Sequence, residues 1–297
     1  MQYIIGYAPN QHGEDAIALA SALASTQDAE LRIVHVLGKP APADAAFLEE
    51  RAVQETRAGW AGEQLSEALL LVPDDVPATA DVVYADSVAE GLIDAARDAD
   101  AALIIVSAAR NGPLKRFTIG SVASALLHAS SVPVALVPSG YERPSRITRM
   151  TAAIGSREGA RTLLDVAVEA AARRRVALRL VSLIALDFDE ATDEEFALKA
   201  ARTHARTVLD DAVASVGTRT EVTATVAEGS TVEQAVEGLP FNEGEIAIIG
   251  SSRLAEHRRI FMGNTANKLL RALPIPLIVV PRVLDDEAAS ESASLSV

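Results

Sequence analysis

An order of segments that occurs twice constrains this chain more than any other feature. In the first half, the apolar runs "YIIGY", "ELRIVHVL", "ADVVYA", "AALIIVS" and "VPVALVP" alternate with longer stretches of helical period. The second half repeats the order with "MTAAIG", "ALRLVSLI", "EVTATVA", "EIAIIGS" and "IPLIVVP". Short runs that are apolar on both faces and separated by helices predict buried parallel strands joined by crossovers. Each half then reads as a doubly wound α/β unit with a five-stranded parallel sheet.

A shift of 143 residues superposes 78–138 on 221–281 without a gap. In that frame Ser87 and Glu90 meet Ser230 and Glu233, and both pairs read as capping boxes that start a helix. Arg110 meets Arg253, Gly120 meets Gly263, and the endings "VPVALVP" and "IPLIVVP" coincide. Repetition of this kind predicts two domains, 1–140 and 146–282, joined by "SGYERPSR", whose Gly, Ser and Pro suit a linker. The remainder, 283–297, is acidic and rich in small residues and serine, and reads as a disordered tail.

In an open doubly wound sheet, ligands bind beyond the C-terminal ends of the strands, where the winding reverses. The loops after the first and fourth strands of each unit should therefore line a crevice. After strand 4 comes "VSAARNGPLKRFTIGSVAS", with about a dozen residues between Ser107 and a helix expected to begin near Ser121. That is long for an α/β connection. Gly120 and Ser121 put a residue without Cβ, and then a hydroxyl, at a helix start, where free N–H groups favour an anion. Arg110, Lys115 and Arg116 add positive charge, and the second copy supplies Arg253, His257, Arg258 and Arg259 before Gly263 and Asn264. The competing reading is that the two glycines only let the chain turn tightly into a helix.

Local positive charge matters because the chain as a whole is acidic, with a formal net charge of −14 and a sequence pI near 4.8. Long-range repulsion argues against nucleic acid or an anionic membrane surface as partner. There is no cysteine, so disulfides and thiolate metal sites are excluded. No apolar stretch is long enough to span a bilayer, and "MQYIIGYAPN" is too short a run for a signal peptide, so a cytoplasmic location is expected.

Taken in this order, the residues resemble the universal stress protein family in its tandem form, most closely over "IIGSSRLAEHRRIFMGNTANKLLRALPIPLIVVP". The resemblance implies two five-stranded parallel sheets of the adenine nucleotide alpha hydrolase-like kind. It also implies pairing of the two domains through their last strands as an internal pseudo-dimer, and a regulatory role in stress survival. Many members bind ATP through G-x-x-G, nine further residues, then Gly with Ser or Thr, and Mg is the ion expected to accompany it. Mapped on that pattern, Ser107 and Arg110 stand at the first two glycines, while Gly120 and Ser121 match the end. The second copy keeps Gly250 and Gly263 but has Arg253 and Asn264 at the other two positions. A later glycine found in many relatives is matched by Gly112 but not by Ala255. The aspartate that the pattern carries after strand 1 is absent: Ala8 stands there, followed by Pro9 and Asn10.

The implied nucleotide site therefore comprises Ala8, Pro9, Val36, Val106, Ser107, Arg110, Gly112, Gly120, Ser121 and Val122, with Val36 and Val106 toward the adenine. The second comprises Ile249, Gly250, Ser251, Arg253, Gly263, Asn264 and Thr265. An arginine at the second glycine takes volume from the phosphate, yet it is also a bidentate phosphate donor. Classes other than a nucleotide module are an enzyme and a scaffold with empty pockets that binds an unknown protein partner, with room for a homodimer. The chain has no G-x-x-x-x-G-K-[ST] loop, no G-x-S-x-G elbow and no H-E-x-x-H pair, so no catalytic residue and no metal ligand is assigned. Of the five histidines, His35 reads as a core or sheet-end residue of strand 2, and His12, in the loop after strand 1, is the one near the expected crevice. The carboxylates at 49–50 and 193–195 read as solvated helix faces, and Trp60 as core or interface.

Overall fold

The computed structural model describes residues 1–39, 48–110, 117–118, 120–155, 159–185, 194–251, 260 and 264–281. The chain divides into two compact units, with the main break between Arg143 and Pro144.

The first unit runs β1 (Gln2–Gly6), α1 (Gln11–Ala24), β2 (Glu30–Gly38), α2 (Leu48–Leu69), β3 (Ala78–Ala85), α3 (Val88–Asp98), β4 (Leu103–Arg110), α4 (Ser121–Ala129) and β5 (Val134–Pro138). Its strands lie in the order β3-β2-β1-β4-β5, all parallel. The chain winds outward from β1 to β3 and then returns to the other side of β1 with β4. The winding thus reverses between β1 and β4, as the crevice argument requires. A two-residue extended segment, Phe117–Thr118, precedes α4 in the chain.

The second unit repeats the plan: β6 (Arg149–Ala153), α5 (Ala160–Arg174), β7 (Ala177–Ala185), α6 (Glu194–Val216), β8 (Val222–Gly229), α7 (Val232–Glu237), β9 (Glu245–Gly250), α8 (Asn264–Ala272) and β10 (Leu277–Val280). Its order is β8-β7-β6-β9-β10, again all parallel. The backbone register reproduces the sequence repeat. Ile105 of β4 faces Ile5 and Ala135, and Ile248 of β9 faces Ala152 and Ile278.

The strands are apolar on both faces because helices cover both. Ile4, Ile5, Ile104 and Ile105 are fully buried, as are Val134, Ala135, Leu136 and Val137 of β5. Each large aliphatic side chain removed from water contributes about 1.5–3 kcal/mol. Two N-caps test the local sequence signals. Ser87 caps α3 as expected, its hydroxyl accepting from the Glu90 N–H. In the second unit the cap is one residue later than expected: Thr231 accepts from the Gln234 N–H, and Ser230 instead donates to Gln234 Oε1. Adjacent hydroxyls at 230 and 231 offer the same chemistry in two frames. The frame in which Val232, Ala235 and Val236 are buried prevails.

Three further expectations change in detail. Ser107 and Arg110 belong to β4 and not to the loop, which shortens the connection to α4. His12 is the second residue of α1 rather than a loop residue. Trp60 lies on α2 as expected but is half-exposed; its ring meets His35 edge to face. No helix among the described residues is long and apolar enough to cross a membrane. The tail 283–297 lies outside the described residues.

Candidate functional site

The crevice of the first domain is built where β1 and β4 end. Beyond Gly6 the chain continues through Tyr7, whose N–H still donates to Val34 of β2, and then Ala8, whose carbonyl accepts from the Asn10 N–H. Asn10 caps α1: its side-chain oxygen accepts from the His12 N–H at 3.0 Å. Gly13 completes the turn. A Cβ there would lie 2.1 Å from the Ala8 carbonyl oxygen and 2.6 Å from the Tyr7 ring, so this glycine is required by packing. Burial, followed by the charges of Glu14 and Glu67, raises the Tyr7 phenol above its ordinary value and keeps it protonated.

On β4, alternation sends Val106 and Ser107 to opposite faces. Val106 is buried on the face covered by α3, where it and Leu92 occupy the space that a side chain on Gly6 would need. Val36 packs on the same helix, against Gly91. The two residues expected beside adenine therefore share one face of the sheet, with Leu92 between them over Gly6. Ser107 faces the other way, toward α1, where its Oγ lies 3.2 Å from His12 Nδ1. Ser107 Oγ is also 3.4 Å from the Val137 carbonyl oxygen of β5. Asp15, fully buried on α1, accepts from the Gly140 N–H at 2.9 Å and from Gln11 Nε2 at 3.1 Å, tying the helix to the residues that follow β5. His35, at the sheet end as expected, holds the Tyr7 carbonyl through Nδ1 at 3.1 Å.

After β4 the next helix of the unit is α4. The Gly120 carbonyl accepts from the Ser124 N–H, so Gly120 occupies the cap and the N–H groups of Ser121, Val122 and Ala123 have no intrahelical partner. A Cβ built on Gly120 meets nothing within 4 Å, and its backbone is not left-handed. A left-handed backbone, which would demand glycine, is not what places it here. Of the remaining first-site residues, Arg110 ends β4, Ala8 and Pro9 are partly buried, and Gly112 lies outside the described residues.

The second crevice keeps the frame with different side chains. Ile249 is buried, Gly250 ends β9, and the Ser251 N–H donates to Val280 of β10. Gly250 stands opposite Val280 as Ser107 stands opposite Val137, but with no hydroxyl to offer. Asn264 and Thr265 open α8, while Arg253 and Gly263 lie outside the described residues. Neither crevice shows a group of three or more His, Asp or Glu side chains able to hold a metal among the described residues. Sequence reasoning placed His12 near the first crevice but missed its pairing with Ser107 and the capping role of Asn10. The cap had a local signal in Asn followed by a helical pattern; the pairing had none.

Comparison with known proteins agrees with this architecture. The chain matches the model of the Universal stress protein family twice, at residues 4–138 and 146–281. Universal stress protein Rv2319c of Mycobacterium tuberculosis is 25% identical over 296 residues, covering 95% of this chain and 100% of that protein. Universal stress protein Mb2346c of Mycobacterium bovis matches equally. Among solved structures, a universal stress protein from Archaeoglobus fulgidus superposes with a TM-score of 0.61 at 16% identity, covering 94% of this chain and 98% of that one. A structure from Pseudomonas aeruginosa described as a putative universal stress protein superposes with a TM-score of 0.59 at 18% identity, covering 99% and 97%. With two matches that together span nearly the whole sequence and the repeated five-stranded unit to go with them, this chain belongs to the universal stress protein family in tandem form.

Proposed function

We propose that this protein is a cytoplasmic regulatory module that binds an adenine nucleotide, ATP included, in its first domain. The phosphates lie at the N-terminus of α4, with Ser107, Arg110, Gly112 and Gly120 to Val122 around them, and the base lies toward Val36 and Val106. One observation carries this reading. Glycine stands at the cap of α4, where a side chain would meet no described atom within 4 Å and where the N–H groups of Ser121, Val122 and Ala123 have no intrahelical partner. A residue without Cβ at that place leaves room for a ligand to approach these N–H groups closely. We read this binding as regulatory, with any hydrolysis slow, in keeping with the family that the chain matches.

Thermal melting of the full chain with ATP or ADP tests this. A ligand bound only by the native state stabilises it by about 2.7 kcal/mol at a hundred times Kd. A rise in Tm that is lost in Gly120→Val supports the reading; the unliganded variant still unfolds cooperatively close to wild type, since its new side chain meets no described atom within 4 Å and only a favoured cap residue is lost. Absence of any shift at millimolar nucleotide overturns the reading and leaves a nucleotide-free scaffold that acts through a protein partner.

A further inference from the structure

His12 and Ser107 are 95 residues apart in sequence, yet their side chains meet across the two strand ends that form the first crevice. The Ser107 hydroxyl has one proton to give. With that proton on the Val137 carbonyl, the imidazole donates to Ser107 from Nδ1. This leaves Nε2 as the second polar atom of an exposed ring, an acceptor when neutral and a donor when charged. The backbone beneath the ring is held on three sides: Asn10 caps the His12 N–H, Gly13 packs on Ala8, and Asp15 is tied to Gly140. Such an anchored imidazole is pre-organised, so little conformational freedom is lost when a ligand engages it.

We propose that His12 is a phosphate ligand of the first crevice: as the imidazolium, its ring is anchored through Nδ1–H on Ser107 and donates from Nε2–H to a phosphate oxygen of the bound nucleotide. This rests on the nucleotide reading above and specifies it further: the first site recognises a phosphorylated nucleoside over the bare nucleoside. It also gives the serine at the position of the first family glycine a use, as the anchor of the ring. The second domain cannot use the same device, because Gly250 stands in the register of Ser107.

Calorimetric titration of the full chain with ADP and with adenosine, in wild type, His12→Ala and Ser107→Ala, tests the assignment. His12→Ala weakens ADP about tenfold or more, the scale of a charge-assisted hydrogen bond, and leaves adenosine within about twofold. Ser107→Ala causes a smaller loss of the same selectivity, since the ring remains but its anchor is gone. The Tm of the unliganded His12→Ala protein stays at the wild-type value, because the side chain is exposed. Unchanged ADP affinity in His12→Ala overturns the assignment while leaving the nucleotide reading intact. So does an equal loss of ADP and adenosine, which makes His12 a residue that merely shapes the loop. A wild-type protein that binds neither compound overturns the nucleotide reading and this assignment with it.

Discussion

In the first domain Arg32 of β2, in register with Ile4, reaches Asp81 of β3 at 2.8 Å, and both side chains are partly exposed. In the second domain Arg179 of β7 holds the matching register opposite Thr151, but it turns inward and is buried. There it meets Glu245 at 2.7 Å, the Thr151 hydroxyl and the Pro240 carbonyl, and its guanidinium lies 5.1 Å from the centre of the Phe241 ring. Glu245 is itself buried and also accepts from Arg149, from the Thr151 hydroxyl and from the Asn242 N–H. Burial lowers the Arg179 guanidinium below its ordinary range, and Glu245 works against that shift. The same residue type at the same sheet position thus makes a surface pair in one copy and the centre of a buried network in the other. What differs is the acid available: an edge-strand aspartate in the first copy, and a glutamate opposite β6 in the second. The buried network also holds the 240–242 segment, and the helix before that segment is short: α7 has 6 residues where α3 has 11.

Four measurements bear on this comparison. The largest effect is expected from Glu245→Ala, which leaves buried positive charge uncompensated. Loss of one partner of a buried pair costs about 3–5 kcal/mol, read as early unfolding of the second domain in urea while the first unfolds as in wild type. A loss below about 1 kcal/mol would show that water reaches the arginines and that the network is no more than a surface pair.

Next come two glycines of the first crevice, which the structure separates sharply. Gly13→Val forces a side chain onto the Ala8 carbonyl and the Tyr7 ring and is expected to cost about 1–3 kcal/mol, as overpacking does. Gly120→Val meets no described atom within 4 Å and is expected to cost no more than about 1 kcal/mol, the loss of a favoured cap residue. Equal costs at the two sites would break the distinction between a glycine required by the fold and one required by a ligand.

Asp81→Ala, the counterpart of the Glu245 change, is expected to cost no more than about 1 kcal/mol, with the difference shrinking as salt is added. A cost approaching that of Glu245→Ala would erase the contrast between the two arginines.

The smallest effect belongs to Glu228, whose carboxyl is held below the ordinary range first by its hydrogen bonds from Arg202, at 2.7 and 2.8 Å. Because the folded value is depressed, its contribution is present above the unfolded value of about 4.3 and is lost as pH falls through the folded one. Melting curves of wild type and Glu228→Gln should therefore differ slightly near neutral pH and converge in acid. A gap that widens toward acid would reverse the sign and reject the assignment.

Local signals read well wherever one residue type decides one backbone event. Apart from the C-terminal end of β4, the apolar runs became strands within a residue or two, and Ser87 became the cap it promised to be. The reversal of winding between β1 and β4 followed from the order of elements alone. Reading failed where two local choices were nearly equal. Ser230 and Thr231 are both good caps, and burial of α7 selected the second. It also failed at the end of β4, where Ser107 and Arg110 looked like loop residues, because a strand's length depends on the neighbour it pairs with.

By itself the sequence determined the repeat, the parallel class of the sheets and where the winding reverses, because each follows from periodicity and order along one chain. Tertiary structure alone decided which glycine is held by packing and which stands in open space, that His12 reaches Ser107, and that Arg179 turns inward while Arg32 does not. Those outcomes depend on distances between segments far apart in sequence. The free energy of a charge or a hydrogen bond is set by the surroundings that folding brings to it.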